Sequence, residues 1–289
     1  MRVARIAQNG RPGLMLGSDG SSRVLFHDEH ALPSLDEIVA GNPDGLAKIA
    51  DTFSDRGVEV DGRDVRFFPP LARPGKIICV GLNYVDHAAE AGFELPLFPT
   101  LFVRFASSLV GHRDPLVKPS VSDAFDFEGE LVAIIGRGGR HIDEADALDH
   151  VIGYSIFNDA SVRDYQMKTT QWTAGKNFDG TGAFGPWIVT ADALPQGATG
   201  LKLETRLNGE IVQSASTDDM IFPVAKLVAI LSSFMTLEAG DVIVTGTPAG
   251  VGMTRTPPLY MKPGDLCEVE IEGIGLLSNR VEAGERAKA

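Results

Sequence analysis

Glu128 and Glu130 stand two residues apart at the start of the run FEGELVAIIG, and Asp159 ends a second apolar run, YSIFND. On a strand, side chains at i and i+2 leave the same face, so the two glutamates lie side by side. A third acid brought to the same place adds to the repulsion unless a cation neutralises the set. Ligation by oxygen alone favours a hard divalent ion, Mg2+ above all, with Mn2+ or Ca2+ as substitutes. Glu-x-Glu by itself is more often solvated charge on an open strand face. Here residues 131–135 form an unbroken apolar run, the pattern of a strand buried on both faces. Acids leading into such a run are costly unless paired or metal-bound. The expectation is a divalent-metal site built from Glu128, Glu130 and Asp159.

Other residues able to do chemistry lie around this set. His87 and Glu90, in LNYVDHAAEAG, are three apart and share one face of a short helix. Such a pair is either two exposed side chains or a dyad in which the glutamate orients the imidazole and the imidazole takes a proton from water. Arg163 and Gln166 are likewise three apart in ASVRDYQMK, just after Asp159. Arg163 could grip a substrate carboxylate, or be tied up by Asp164 or Glu130. GKNFDGTGAFGPW places Lys176 and Thr181 in a Gly-rich stretch, but the G-x-x-x-x-G-K-[ST] order of a phosphate loop is absent, so a nucleotide site is not expected. Thr247, in DVIVTGTPAGVG, sits where a turn either presents donors to an anion or is simply tight.

The elements that must position these groups follow from periodicity and punctuation. Residues 1–70 read as a small N-terminal α+β domain, with strands at 2–7, 13–16 and 23–26 and helical patterns at 34–39 and 44–53. Pro69, Pro70 and Pro74 mark a linker to a larger domain, 71–289. KIICVG reads as a buried strand, followed by a turn and the His87 helix, ending near Gly92. LFVRF is a further strand, and a polar loop then runs through Phe125. LKLETRLNGEIVQ is a hairpin turning at Asn208-Gly209. Val224, Leu227, Val228, Leu231 and Phe234 form one apolar helical face. Glu268, Glu270 and Glu272 alternate with apolar residues and are placed on a solvent face.

Composition sets limits. With 26 basic and 39 acidic residues the chain carries −13, which disfavours nucleic acid and anionic membranes as partners. No apolar run approaches a membrane span, and MRVARIAQNG lacks the apolar core of a signal peptide, so a cytoplasmic location is expected. Cys79 and Cys267 are the only cysteines, widely spaced in apolar contexts, and read as buried thiols.

Taken in order, the blocks VGLNYVDHAAEAG, FDFEGELVAIIGR, FNDASVRDYQ, GKNFDGTGAFGPW, LNGEIVQ and LEAGDVIVTGTPAGVG make the sequence resemble the fumarylacetoacetate hydrolase family over roughly residues 74–283. The resemblance implies a mixed, β-rich α+β fold of the family's rolled-sheet type, a metal-dependent enzyme, a small-molecule 2-oxo acid substrate and a homodimer. It assigns Glu128, Glu130 and Asp159 to the metal, His87 and Glu90 to water activation, and Lys176 to the catalytic centre. Arg163, Gln166, Thr247 and, with looser spacing, Thr181 are assigned to the substrate. The implied reaction is hydrolysis of a carbon–carbon bond in a 2,4-dioxo acid of the acylpyruvate or fumarylpyruvate type, as in aromatic catabolism, with Mg2+ stabilising a pyruvate-type enolate. Alternatives on the same site are 2-oxo acid decarboxylation and isomerisation of a 2-hydroxyhepta-2,4-diene-1,7-dioate; a non-catalytic metal- or dicarboxylate-binding protein is a different class. Two departures stand out. Asn83 and Tyr84 occupy the neighbourhood where the larger hydrolases carry a further Asp ligand, and Arg104 replaces a Lys common among relatives.

Overall fold

The computed structural model describes residues 1–18, 21–30, 32–41, 45–90 and 95–285. The helix start expected at Asp44 and the helix end expected near Gly92 lie outside them. In chain order the elements that matter are strands β1 (Arg2–Gln8), β2 (Arg11–Ser18), β3 (Ser21–Phe26), β4 (Ile77–Gly81), β5 (Thr100–Val103), β6 (Gly129–Ile135), β7 (Val151–Asp159), β8 (Gly182–Thr190), β9 (Lys202–Leu207), β10 (Glu210–Ser216), β11 (Val242–Val244), β12 (Leu266–Ile271) and β13 (Gly275–Ala283). The helices are α1 (Leu35–Gly41), α2 (Gly45–Arg56), α3 (Val85–Glu90), α4 (Arg163–Gln166), α5 (Thr173–Lys176) and α6 (Val224–Phe234).

The expected α+β, strand-rich class is what the chain forms. Its main sheet runs β3-β2-β1-β8-β7-β6-β11-β4-β5, and a second sheet runs β10-β9-β12-β13. One face of the main sheet packs on the second sheet and α6, in a core that includes Leu131, Ala133, Ile156, Leu203, Val269 and Leu227. The other face carries Val132, Ile134, Phe157 and Val244 against α1 and α2, through Leu35, Ile38 and Phe53. Every residue of β6 is buried, as its unbroken apolar run demanded. Residues 1–70 thus share a sheet and a core with the rest, β1 pairing with β8 at Arg2↔Val189. Treating them as a separate accessory domain rests on the proline linker and on the family resemblance beginning near residue 74.

The hairpin turns where the sequence placed it, with Asn208 and Gly209 both at positive φ, 53° and 84°, as a type I′ turn requires. In α6 Val224, Leu227, Val228 and Leu231 are buried, but Phe234 is 49% exposed, because it falls at the margin of the apolar face in the final residue of the helix. The stretch before Phe125 is not a plain loop: residues 109–110 pair with β8, and Leu116–Lys118 extends the second sheet beside β13. Glu270 and Glu272 face solvent and Glu268 is half-buried.

At Gly129, between the two glutamates, the sheets approach closely, since a Cβ there would collide with Thr205 Oγ1 and Val269 Cγ1. Gly129→Ala is therefore expected to destabilise the chain by roughly 1–3 kcal/mol through overpacking. A shift of the denaturation midpoint measures this, and an unchanged midpoint would show that the two sheets separate freely at this point.

Candidate active site

The antiparallel pairing of β6 with β7 explains why acids distant in sequence meet. Gly129 pairs with Asn158 and Glu130 with Phe157, and the Asp159 N–H donates to the Glu128 carbonyl at 2.8 Å, so Glu128 faces Asp159 across the ladder. One oxygen from each of Glu128, Glu130 and Asp159 lies within 4.8 Å of the others. Ligands on opposite sides of a hard ion at roughly 2.1–2.4 Å stand about 4–5 Å apart, so the trio fits one centre. All three side chains are buried: Glu128 5%, Glu130 1% and Asp159 0% exposed.

Charge is compensated unevenly. Lys176 Nζ donates to Glu128 Oε2 and Asp159 Oδ2, each at 2.6 Å. Arg163 Nη1 meets Glu128 Oε1 at 2.6 Å, and Arg104 pairs with Asp159 Oδ1. Burial would raise the pKa of Glu128, but Lys176 and Arg163 outweigh it and hold the group at about 2. Burial also opposes the charge on Lys176, yet Asp159 and Glu128 hold its pKa above the usual value. Glu130 has no ion pair among the described residues and accepts one hydrogen bond, from the Gly246 N–H at 2.5 Å. Burial first, then repulsion from Asp159 and Glu128, pushes its pKa well above the carboxylate range. An excess of buried negative charge on converging oxygens is what a divalent cation would relieve, so the residues fit a hard metal ion.

Across a cavity of about 350 Å³ stand His87 and Glu90, carried by α3. His87 is 9% exposed, and burial lowers its pKa against the raising effect of Glu128. The imidazole is therefore neutral near pH 7. Its Nδ1 lies 3.6 Å from Glu90 Oε2, beyond hydrogen-bond range, and has no other partner among the described residues. Glu90 instead accepts the Gly250 N–H at 3.0 Å and the Thr254 hydroxyl at 2.7 Å.

The structure gathers most of the expected set around this cavity: His87, Glu90, Glu128, Glu130, Arg163, Gln166, Lys176 and Thr247 all line it. Arg163 is bound neither by Asp164 nor by Glu130. Its Nε donates to Asp126 at 2.8 Å and its Nη1 to Gln166 Oε1 at 2.9 Å, while Nη2 is buried with no partner among the described residues. Thr247 has both hydroxyl functions engaged, donating to the Gly129 carbonyl at 3.0 Å and accepting from Gln213 Nε2 at 2.8 Å. Thr181 lies behind Asp159: it accepts from Arg104 Nη2 at 2.6 Å, donates to the Phe178 carbonyl, and is not among the residues lining the cavity. Asn83 is spent on backbone, binding Phe222 and the Thr245 carbonyl, so it adds nothing to the metal set. Sequence reasoning missed Asp126, buried two residues before Glu128, and noted Arg104 as a departure without seeing that it holds Asp159. The one available signal was an acid and a base in otherwise apolar runs.

Residues 76–282 match the model described as fumarylacetoacetate (FAA) hydrolase, C-terminal. The chain is 45% identical over 220 residues to the human protein named oxaloacetate tautomerase FAHD2A, mitochondrial, covering 75% of this chain and 70% of that one. A solved fumarylacetoacetate hydrolase from Exiguobacterium antarcticum is 39% identical, with a TM-score of 0.84 over 98% of this chain and all of that one. A maleylpyruvate hydrolase from Sphingobium, solved with manganese(II) and pyruvate, is 27% identical, with a TM-score of 0.82 over 99% of this chain and all of that one. Among the described residues no helix is long and apolar enough to cross a membrane.

Proposed function

The chain belongs to the fumarylacetoacetate hydrolase family, and from that premise we propose that it is a divalent-metal enzyme that interconverts the keto and enol forms of a short 2-oxo dicarboxylate of the oxaloacetate kind. One observation carries the reading. Two buried polar atoms on the residues lining the cavity, His87 Nδ1 and Arg163 Nη2, have no hydrogen-bond partner among the described residues. One belongs to a neutral base and the other is a cationic donor, which together suit an anion that must lose and regain a proton.

Glu128, Glu130 and Asp159 would hold the ion, Mg2+ or Mn2+, which when bound polarises the 2-oxo group and makes the neighbouring C–H more acidic. His87 accepts the proton from the carbon beside the 2-oxo group and delivers it to the 2-oxo oxygen as the double bond shifts to C=C. On reversal it takes the enol hydroxyl proton and returns it to that carbon. Glu90, fixed by Gly250 and Thr254, supports the imidazolium that forms. Arg163 Nη2 binds a substrate carboxylate, and Gln166, whose oxygen is docked on Arg163, offers its amide N–H groups beside it. Lys176 keeps Glu128 ionised and holds Asp159 by a hydrogen bond. A cytoplasmic location and a homodimer belong to this proposal as expectations from the sequence.

Hydrolytic cleavage of an acylpyruvate is the second reading, favoured by the placement of Glu90 next to His87, which would also serve a water-activating base. The loss of enol absorbance from oxaloacetate, its decarboxylation, and the cleavage of acylpyruvates are measured with Mg2+, with Mn2+ and with chelator. Metal-dependent enol–keto interconversion exceeding the other two rates is the expected result. Faster acylpyruvate cleavage would replace this reading by the hydrolytic one, and no metal-dependent turnover would end both.

A further inference from the structure

Loop 250–255 lies between two parts of the site that are far apart in sequence. On one side is Asp126, fully buried, which accepts the N–H groups of Gly252 at 2.7 Å and Met253 at 2.9 Å while holding Arg163 Nε at 2.8 Å. A Cβ at Gly252 would collide with the Leu259 carbonyl and the Asp126 carboxylate, so the loop backbone is pressed against its anchor. Arg255 ties the loop to the Val212 carbonyl at 2.6 Å and the Gly250 carbonyl at 3.0 Å. Backbone held by this many contacts moves little relative to β6.

On the other side the loop holds α3. The described part of this helix lies at the surface, with Val85 45% exposed. Glu90, the last described residue of the helix, is bound by the loop through Gly250 N–H and Thr254 Oγ1. The Thr254 hydroxyl also lies 2.9 Å from the Val251 carbonyl. One proton cannot serve both acceptors fully, and the charged carboxylate is the stronger.

We propose that Thr254 is a positioning residue: its hydroxyl latches Glu90, and with it the helix bearing His87, to a loop that Asp126 anchors beside Arg163. His87 and Arg163 are then held in register across the cavity through one short chain of contacts, Glu90–Thr254–Met253–Asp126–Arg163. The catalytic consequence rests on His87 being the base of the proposed reaction. The structural consequence does not.

Thr254→Val removes the hydroxyl at nearly constant shape, and Thr254→Ser restores it. Hydrogen exchange at residues 85–90 in the full chain is expected to speed up about tenfold in Thr254→Val and to return to the parent rate in Thr254→Ser. With oxaloacetate and Mn2+, kcat should fall about tenfold with KM changing less than twofold, because Arg163 and the metal acids are untouched. In the double variant Glu90→Ala/Thr254→Val, kcat should equal that of Glu90→Ala alone, since the threonine acts only through the glutamate. Unchanged exchange in Thr254→Val would overturn the latch. Multiplying rate losses in the double variant would show that Thr254 acts by another route. If the chain proves inactive on every 2-oxo acid, the exchange data still decide the latch while the proposed reaction falls separately.

Discussion

Glu130→Gln is expected to abolish divalent-metal binding, weakening affinity by more than about 100-fold, while leaving the metal-free chain at least as stable as the parent. Glu130 is the acid of the trio without an ion pair among the described residues: Lys176 is shared by Glu128 and Asp159, Arg163 by Asp126 and Glu128, and Arg104 is on Asp159. Removing its charge relieves repulsion in a buried site, and the amide oxygen can still accept the Gly246 N–H. Asp159→Asn should also lose the metal, with the opposite effect on stability. It leaves the buried cations Lys176 and Arg104 short of a partner, at a cost of roughly 3–5 kcal/mol. Titration calorimetry with Mn2+ and denaturation under chelator measure the two effects separately. Equal stability loss in both variants would mean that Glu130 is paired in solution and that the uneven charge compensation described here is wrong.

His87→Ala should lower kcat by about 10²–10⁴-fold, the usual contribution of a positioned general base, with Mn2+ affinity within a few-fold of the parent. The pH profile carries the same assignment. Burial lowers the pKa of His87, so the folded chain binds fewer protons there than the unfolded chain. The base is neutral at and above neutral pH, and kcat/KM should be flat there and fall only as pH drops below the ordinary histidine value of about 6.5. Stability follows the same sign: it declines as pH falls from about 6.5 through the lowered folded-state pKa, because protonation is easier in the unfolded chain. His87→Ala should remove that acid limb along with most of the rate. Full activity in His87→Ala, or an acid limb centred above 6.5, would assign the proton transfer to another group.

The buried pairs also show why the site has few free donors. Arg104, Arg163 and Lys176 each serve a carboxylate of the metal set before they could serve a substrate. Arg163 alone among them keeps a buried nitrogen without a partner. Specificity for the anionic end of a substrate therefore concentrates on one guanidinium, held by Asp126, and on the Gln166 amide docked against it.

Much of this was fixed by the order of residues along the chain. An unbroken apolar run after Glu130 requires a strand covered on both sides, Asn-Gly requires a primed turn, and acids at i and i+2 must share a face; these are consequences of strand and turn geometry, independent of distant residues. The tertiary structure alone decided which partner each charged group takes. Spacing paired Glu90 with His87, and the fold keeps them 3.6 Å apart, but the short hydrogen bond of Glu90 is to Thr254, 164 residues away. Local spacing offered Asp164 to Arg163, yet its partner is Asp126, 37 residues upstream, and Asp164 binds Ser122. Arg104 and Asp159, 55 residues apart, meet through the sheet. Periodicity is a property of one segment and can be read from it, whereas a buried ion pair or hydrogen bond is chosen by whichever groups the folded backbone brings within about 3 Å, and no local pattern records that distance.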